Sequence, residues 1–152
     1  MAGFRLFLVD DDDDDFLIIR QAFEELGQAY DLTHVRDGKQ LLDRLRHLSA
    51  EGKTLPDLIL MDINMPKLNG LETLAAIRSD KTYAKLPVFM YSTSVNADDR
   101  QKCMQLGANA FFTKAYSYKK LLSFASEIDA FLKDNDRRVS VMFEKKSSTK
   151  TQ

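Results

Sequence analysis

The chain has 152 residues, 44% of them hydrophobic and 30% charged, and a formal net charge of −1. That length suits one domain with a substantial core, and the near-neutral balance argues against nucleic acid or an anionic membrane as its partner. Its single cysteine, Cys103, excludes an internal disulfide. No apolar stretch approaches the roughly 20 residues of a membrane span, so a soluble cytoplasmic protein is expected.

Strand-like and helix-like segments alternate five times. The first strand is the apolar run Phe4–Val9, which ends in Asp10-Asp11 rather than in a secretory cleavage site. Ile19, Ala22, Phe23 and Leu26 then recur at the spacing of one helical face, with Gly27 as the stop. Tyr30–Val35 reads as a second strand, and Asp37-Gly38 turns the chain into a helix carrying Leu41, Leu45 and Leu48. Beyond a polar loop, Leu58-Ile59-Leu60-Met61 is bounded by Pro56 on one side and by Met65-Pro66 and Asn69-Gly70 on the other. A run that uniformly apolar marks a strand buried on both faces. Leu71, Leu74 and Ala75 mark the third helix. Pro87 precedes the strand Val88–Tyr91, which ends at Ser92, and Asn96 or Asp98 caps a helix that stops at Gly107. Ala110–Thr113 is the fifth strand, with Lys114 at its end, and Leu121, Ala125, Ile128 and Leu132 share one face of the last helix.

Strands alternating with helices predict an α/β, doubly wound fold with right-handed crossovers and a parallel sheet covered on both faces. The domain is expected over 1–133. Residues 134–152 form a charged tail, partly disordered and without an output domain, in which Val139–Phe143 is a short apolar patch.

In such a sheet, ligands bind at the carboxyl ends of the strands. Four strand ends place distinct groups there: Asp10 with Asp11, then Asp62, Ser92 and Lys114. Crowded carboxylates repel one another, and Mg²⁺ relieves that repulsion with a few protein oxygens and several waters. Asp11 and Asp62 suit direct ligation, Asp10 ligation through water, and the backbone carbonyl of Asn64 a further position. Asp62 can then accept a phosphoryl group, with the Ser92 hydroxyl and the Lys114 ammonium suited to its remaining oxygens. The rest of the acidic run, Asp12–Asp15, is expected to be a solvated helix start favoured by the helix dipole. His34 and His47 are expected to be structural or exposed, and Cys103, in the fourth helix, to be a small packed residue rather than a redox sensor.

These residues closely resemble the receiver domain of two-component response regulators over roughly residues 4–133. The resemblance rests on Leu8-Val9-Asp10-Asp11-Asp12, Leu58 to Pro66, Asn69-Gly70, Leu86-Pro87-Val88, Ser92, Gly107-Ala108 and Lys114. It implies a flavodoxin-like (βα)5 fold with strand order 2-1-3-4-5. It further implies that Asp62 takes a phosphoryl group from the phosphohistidine of a sensor histidine kinase or histidine phosphotransfer protein, with Mg²⁺ bound. The Asp12–Asp15 stretch and the helix after it look most like the small stand-alone receivers that pair with phytochrome-type kinases.

Two departures stand out: Ala115 follows the lysine where family members usually carry proline, and Phe111 occupies a switch position that is often tyrosine. By the family pattern, Ser92 moves toward the phosphoryl group, Phe111 turns inward and the fourth-helix surface rearranges. Asn64 and Ser94 lie where attacking water approaches and tune the lifetime. Two other readings compete, a phosphorylation-independent interaction module and an aspartate-nucleophile phosphatase. The phosphatase would require a second aspartate at position 64, where this chain has Asn64. Homodimerisation through the fourth helix and fifth strand, or through Val139–Phe143, is a further expectation.

Overall fold

The computed structural model describes residues 3–27, 29–93, 96–114 and 117–135. Five strands, β1 (Phe4–Val9), β2 (Tyr30–Val35), β3 (Leu58–Met61), β4 (Val88–Ser92) and β5 (Ala110–Thr113), alternate with five helices. The helices are α1 (Asp13–Glu25), α2 (Gly38–Ala50), α3 (Gly70–Ser79), α4 (Ala97–Gln105) and α5 (Tyr118–Asp134). The strands pair in parallel in the order β2-β1-β3-β4-β5, the order that the resemblance implied. Ser94, Ala115 and the patch Val139–Phe143 lie outside the described residues, as does the tail beyond Asn135.

Alternation along the central strands divides the core into two layers. Phe7, Val9, Ile59, Met61, Val88 and Met90 pack with Leu41, Leu45, Leu74, Ile77 and Cys103 of α2, α3 and α4. Leu6, Leu8, Leu58, Leu60, Phe89 and Tyr91 pack with Ile19, Phe23, Leu121, Phe124 and Ile128 of α1 and α5. The positions expected on the faces of α1 and α5 are the ones that pack there. On α3 the docked ridge is Gly70, Thr73, Leu74 and Ile77. Of the positions that mark α3 in the sequence, Leu74 is buried, Leu71 is half-buried and Ala75 is exposed.

Each helix begins under a side-chain cap: Asp12, Asp37, Asn69, Asn96 and Ser117 each accept a hydrogen bond from an amide of the first turn. Asn69 and Glu72 form a reciprocal capping box. At the opposite edge, the Arg78 guanidinium donates to the carbonyls of Gly107 (2.9 Å), Ala84 (3.1 Å) and Leu86 (2.8 Å). It also reaches Asn109 Oδ1 at 3.0 Å, so one side chain ties the end of α3 to the segments leading into β4 and β5.

Candidate phosphoacceptor site

The sheet ladder continues one residue past three of the strands and sets the site's frame. The amide of Asp10 donates to Val35 O at 2.9 Å, that of Asp62 to Val9 O at 2.9 Å and that of Lys114 to Ser92 O at 2.8 Å. The in-out alternation therefore extends to these residues. Asp10, Asp62, Tyr91 and Lys114 take the parity of the α1/α5 side, and Ser92 and Phe111 take the other.

Asp62 is almost fully buried, and the turn after it is closed by the Gly70 amide donating to Ile63 O at 2.8 Å. A Cβ on Gly70 would lie 2.2 Å from the Asp62 carbonyl oxygen, so the Asn69-Gly70 pair lets α3 press directly on the Asp62 backbone. The Asn64 amide approaches Asp62 Oδ1 at 3.4 Å, and the Asn64 side chain is exposed. Burial raises the Asp62 carboxyl above its ordinary pKa, opposed by Lys114 and by the amides of Asn64 and Ile63.

Lys114 Nζ donates to Asp15 Oδ2 at 2.7 Å, Asp62 Oδ2 at 3.0 Å and Asp10 Oδ2 at 3.2 Å. Burial works to lower its pKa, but Asp15, Asp62 and Asp10 together outweigh burial and raise it. The lysine thus remains an ammonium. Asp10 is fully buried; its Oδ1 accepts the Asp12 amide at 2.9 Å, and its Oδ2 accepts the Tyr91 hydroxyl at 2.7 Å. Burial, with Asp10 beside it, drives the Tyr91 phenol far above its ordinary pKa, which makes it a fixed donor. His34 Nε2 lies 2.7 Å from the Asp10 carbonyl, where only a ring N–H can bond, and its ring stacks on Phe16 at 4.5 Å between centroids.

Carboxylate oxygens of Asp10, Asp11 and Asp62 lie within 4.8 Å of one another. An all-oxygen set of that size fits a hard divalent cation. Asp11 is exposed and Asp10 is already occupied by Tyr91, Lys114 and the Asp12 amide, which suits direct ligation by Asp11 and indirect ligation by Asp10. Ser92 is fully buried at the end of β4. Phe111 is buried in the core layer with Met90 and Cys103, and the Arg100 guanidinium sits over its ring at 5.5 Å. Burial, with Asp99 adding, pushes the Cys103 thiol up to about 11, consistent with a small packed side chain.

Two participants are not evident from the sequence pattern. Asp15, expected to be solvated, has a carboxylate only 28% exposed and bonds Lys114. It follows the stripe that seats α1, because positions 15, 19 and 22 lie on one helical face. Tyr91 stands in the pattern only as the strand residue before Ser92; alternation puts it on Asp10's side of the sheet. The other acids of the run behave differently: Asp12 caps Asp14 N at 2.8 Å, and Asp13 pairs with Arg36 at 2.6 Å.

Residues 6–126 match the family pattern described as "Response regulator receiver domain". The chain is 32% identical over 128 residues to the probable methanogenesis regulatory protein FilR2 of Methanothrix harundinacea, covering 84% of this chain and 83% of that protein. It is 30% identical over 127 residues to response regulator Rcp1 of Synechocystis, covering 83% and 86%. Among solved structures, the phosphorylated cyanobacterial phytochrome response regulator RcpA superposes with a TM-score of 0.78 at 35% identity, over 86% of this chain and 94% of that one. The Mn²⁺-bound form of Rcp1 gives a TM-score of 0.71 at 30% identity, over 84% and 93%.

Proposed function

The chain belongs to the response regulator receiver domain family of two-component signalling, and from that premise we propose that Asp62 is its phosphoacceptor. The phosphoryl donor is the phosphohistidine of a sensor histidine kinase or histidine phosphotransfer protein. A bond forms between an Asp62 oxygen and phosphorus as the P–N bond breaks, and the electron pair leaves with the imidazole nitrogen, which takes a proton. The observation that carries the reading is the Lys114 ammonium 3.0 Å from a buried Asp62 carboxylate, with Asp10 and Asp11 converging on the same point.

Mg²⁺ held by Asp11 and Asp62, by Asp10 through water and by the Asn64 carbonyl would neutralise the carboxylates and the transferred oxygens. Lys114 then serves one phosphoryl oxygen and the Ser92 hydroxyl another, while Asn64 and Ser94 govern the approach of water. That the relative Rcp1 has a Mn²⁺-bound form, together with the converging carboxylates here, supports a divalent cation at this cluster. Phosphorylation biases the surface of α4 and β5 through Ser92 and Phe111, and the burial of Phe111 in the core layer supplies the apolar seat for such a switch. We place the module at residues 1–133 and its action in the cytoplasm, where a kinase presents its phosphohistidine. No described helix is long and apolar enough to cross a membrane.

Incubation with acetyl phosphate and Mg²⁺, read as intact mass, tests the assignment. The expected result is a single phosphoryl adduct that requires the cation and is absent from Asp62→Asn. An adduct of equal yield on Asp62→Asn overturns it. Absence of both an adduct and divalent-cation binding favours the phosphorylation-independent module.

A further inference from the structure

We propose that Asp15 is a positioning residue for phosphoryl transfer, holding the Lys114 ammonium from the α1 side so that it stays aimed at the phosphoryl position while Asp62 reacts. The proposal rests on the reading of Asp62 as phosphoacceptor and adds to it a residue outside the metal-and-acceptor set.

An ammonium has three N–H groups, and Lys114 directs them at three carboxylates: Asp15 at 2.7 Å, Asp62 at 3.0 Å and Asp10 at 3.2 Å. These acceptors differ in what the chemistry does to them. Asp62 gives up its carboxylate charge when it becomes an acyl phosphate. Asp10 shares Oδ2 with the Tyr91 hydroxyl and faces the cation position. Asp15 lies beside Asp10 but outside the three carboxylates that converge on a cation, so its bond to Lys114 is the one whose acceptor neither reacts nor faces the cation position. When the Asp62 oxygen is lost as an acceptor, the N–H it releases turns to a phosphoryl oxygen while Asp15 keeps the nitrogen in place.

The placement of Asp15 points the same way. An acid in the first turn of a helix gains from the free amides there, and Asp12 does so by capping Asp14 N. Asp15 instead reaches a lysine 99 residues further along the chain. It continues the face that carries Ile19 and Ala22, both buried against the sheet. The pair lies in a small cleft walled by Ile18, Tyr91, Leu121 and Phe124. Largely apolar walls strengthen a charge-assisted bond relative to open solvent.

Side-chain ¹H–¹⁵N spectra of the lysine ammonium groups and phosphorylation rates together test this. A slowly exchanging ammonium signal, assigned to Lys114 by its loss in Lys114→Arg, is expected in the parent and in Asp15→Glu and is expected to broaden away in Asp15→Asn. At saturating Mg²⁺, Asp15→Asn should slow adduct formation from acetyl phosphate by on the order of tenfold. Asp15→Glu should restore most of that loss, and Mg²⁺ affinity should change by less than about twofold, since Asp15 is not a ligand. In a Lys114→Gln background, Asp15→Asn should cost nothing further. An unchanged rate in Asp15→Asn, or an equal loss with and without Lys114, overturns the proposal alone. A parent chain that takes up no phosphate overturns the reading of Asp62 itself, and the ammonium spectra still report independently on whether Asp15 holds Lys114.

Discussion

Two cations organise opposite edges of the sheet, and they are surrounded by opposite kinds of acceptor. Lys114, at the carboxyl edge, faces three carboxylates within 3.2 Å. Arg78, at the other edge, faces three backbone carbonyls and one side-chain amide oxygen. A flat guanidinium with five donors suits fixed, neutral acceptors on two loops, where it closes gaps in backbone hydrogen bonding. A compact ammonium among carboxylates leaves excess negative charge, which is stable only while something positive can be recruited. The first arrangement is complete as folded; the second is built to receive a cation and then a phosphoryl group.

Removing each cation separates these roles. Arg78→Met should lower stability in urea unfolding by about 3 kcal/mol, because it removes four hydrogen bonds from a charged donor, two of them to part-buried carbonyls. Acetyl-phosphate labelling of the folded fraction and Mg²⁺ affinity should both be unaffected. A loss that varied with divalent cation would break the contrast. Lys114→Met should destabilise the metal-free protein by about 2 kcal/mol, less than a fully enclosed pair would lose because Asp15 is partly solvated. Mg²⁺ should recover much of that loss, whereas it should recover none of the Arg78→Met loss.

Subtracting a negative charge at the same edge should have the reverse sign. Asp62 has a folded-state pKa above its ordinary value, so the folded protein holds that proton more tightly than the unfolded chain does. Parent stability therefore falls as pH rises from about 4 through the folded-state value. Asp62→Asn removes the fall, and in metal-free buffer its advantage should grow as pH rises above about 4. A constant or shrinking advantage would show that Lys114 already balances the site. The smallest effect concerns the loop that leads from Asp62 into α3, where Lys67 adopts a positive φ of 66°. Lys67→Gly should stabilise by about 0.5 kcal/mol in the same assay.

The carboxyl edge was more legible in the sequence than the other, for a physical reason. Asp62 and Asp10 each terminate an apolar run, and a carboxylate carried into a buried layer by its strand is costly unless a cation or a reaction uses it. Ser92 and Lys114 gained meaning from sharing that edge. Asp15 lacked contrast: in six consecutive acids, the helix dipole accounts for any one of them equally well, and only the 15, 19, 22 face arithmetic distinguishes it. Tyr91 required one further step, carrying strand alternation past the end of β1 to Asp10. Ala75 shows the limit of spacing alone: it marks the helix together with Leu71 and Leu74 but falls outside the docked ridge of Thr73, Leu74 and Ile77. Arg78 was beyond reach, because an arginine near a helix end satisfies the dipole wherever it points. Its acceptors belong to loops that only the assembled fold brings beside it.

The main-chain bonds that carry the ladder past β1, β3 and β5 to Asp10, Asp62 and Lys114 have a practical consequence. The backbone beneath each of these side chains is clamped by a neighbouring strand rather than by the side chain's own contacts, so position 62 is a mounting point whose attachment can be exchanged. A thiol installed by Asp62→Cys would be held where the carboxylate is held, and the native thiol, Cys103, is enclosed in the core. Alkylation with a reagent bearing a phosphonate could then fix a permanent likeness of the transient acyl phosphate on an otherwise unaltered frame.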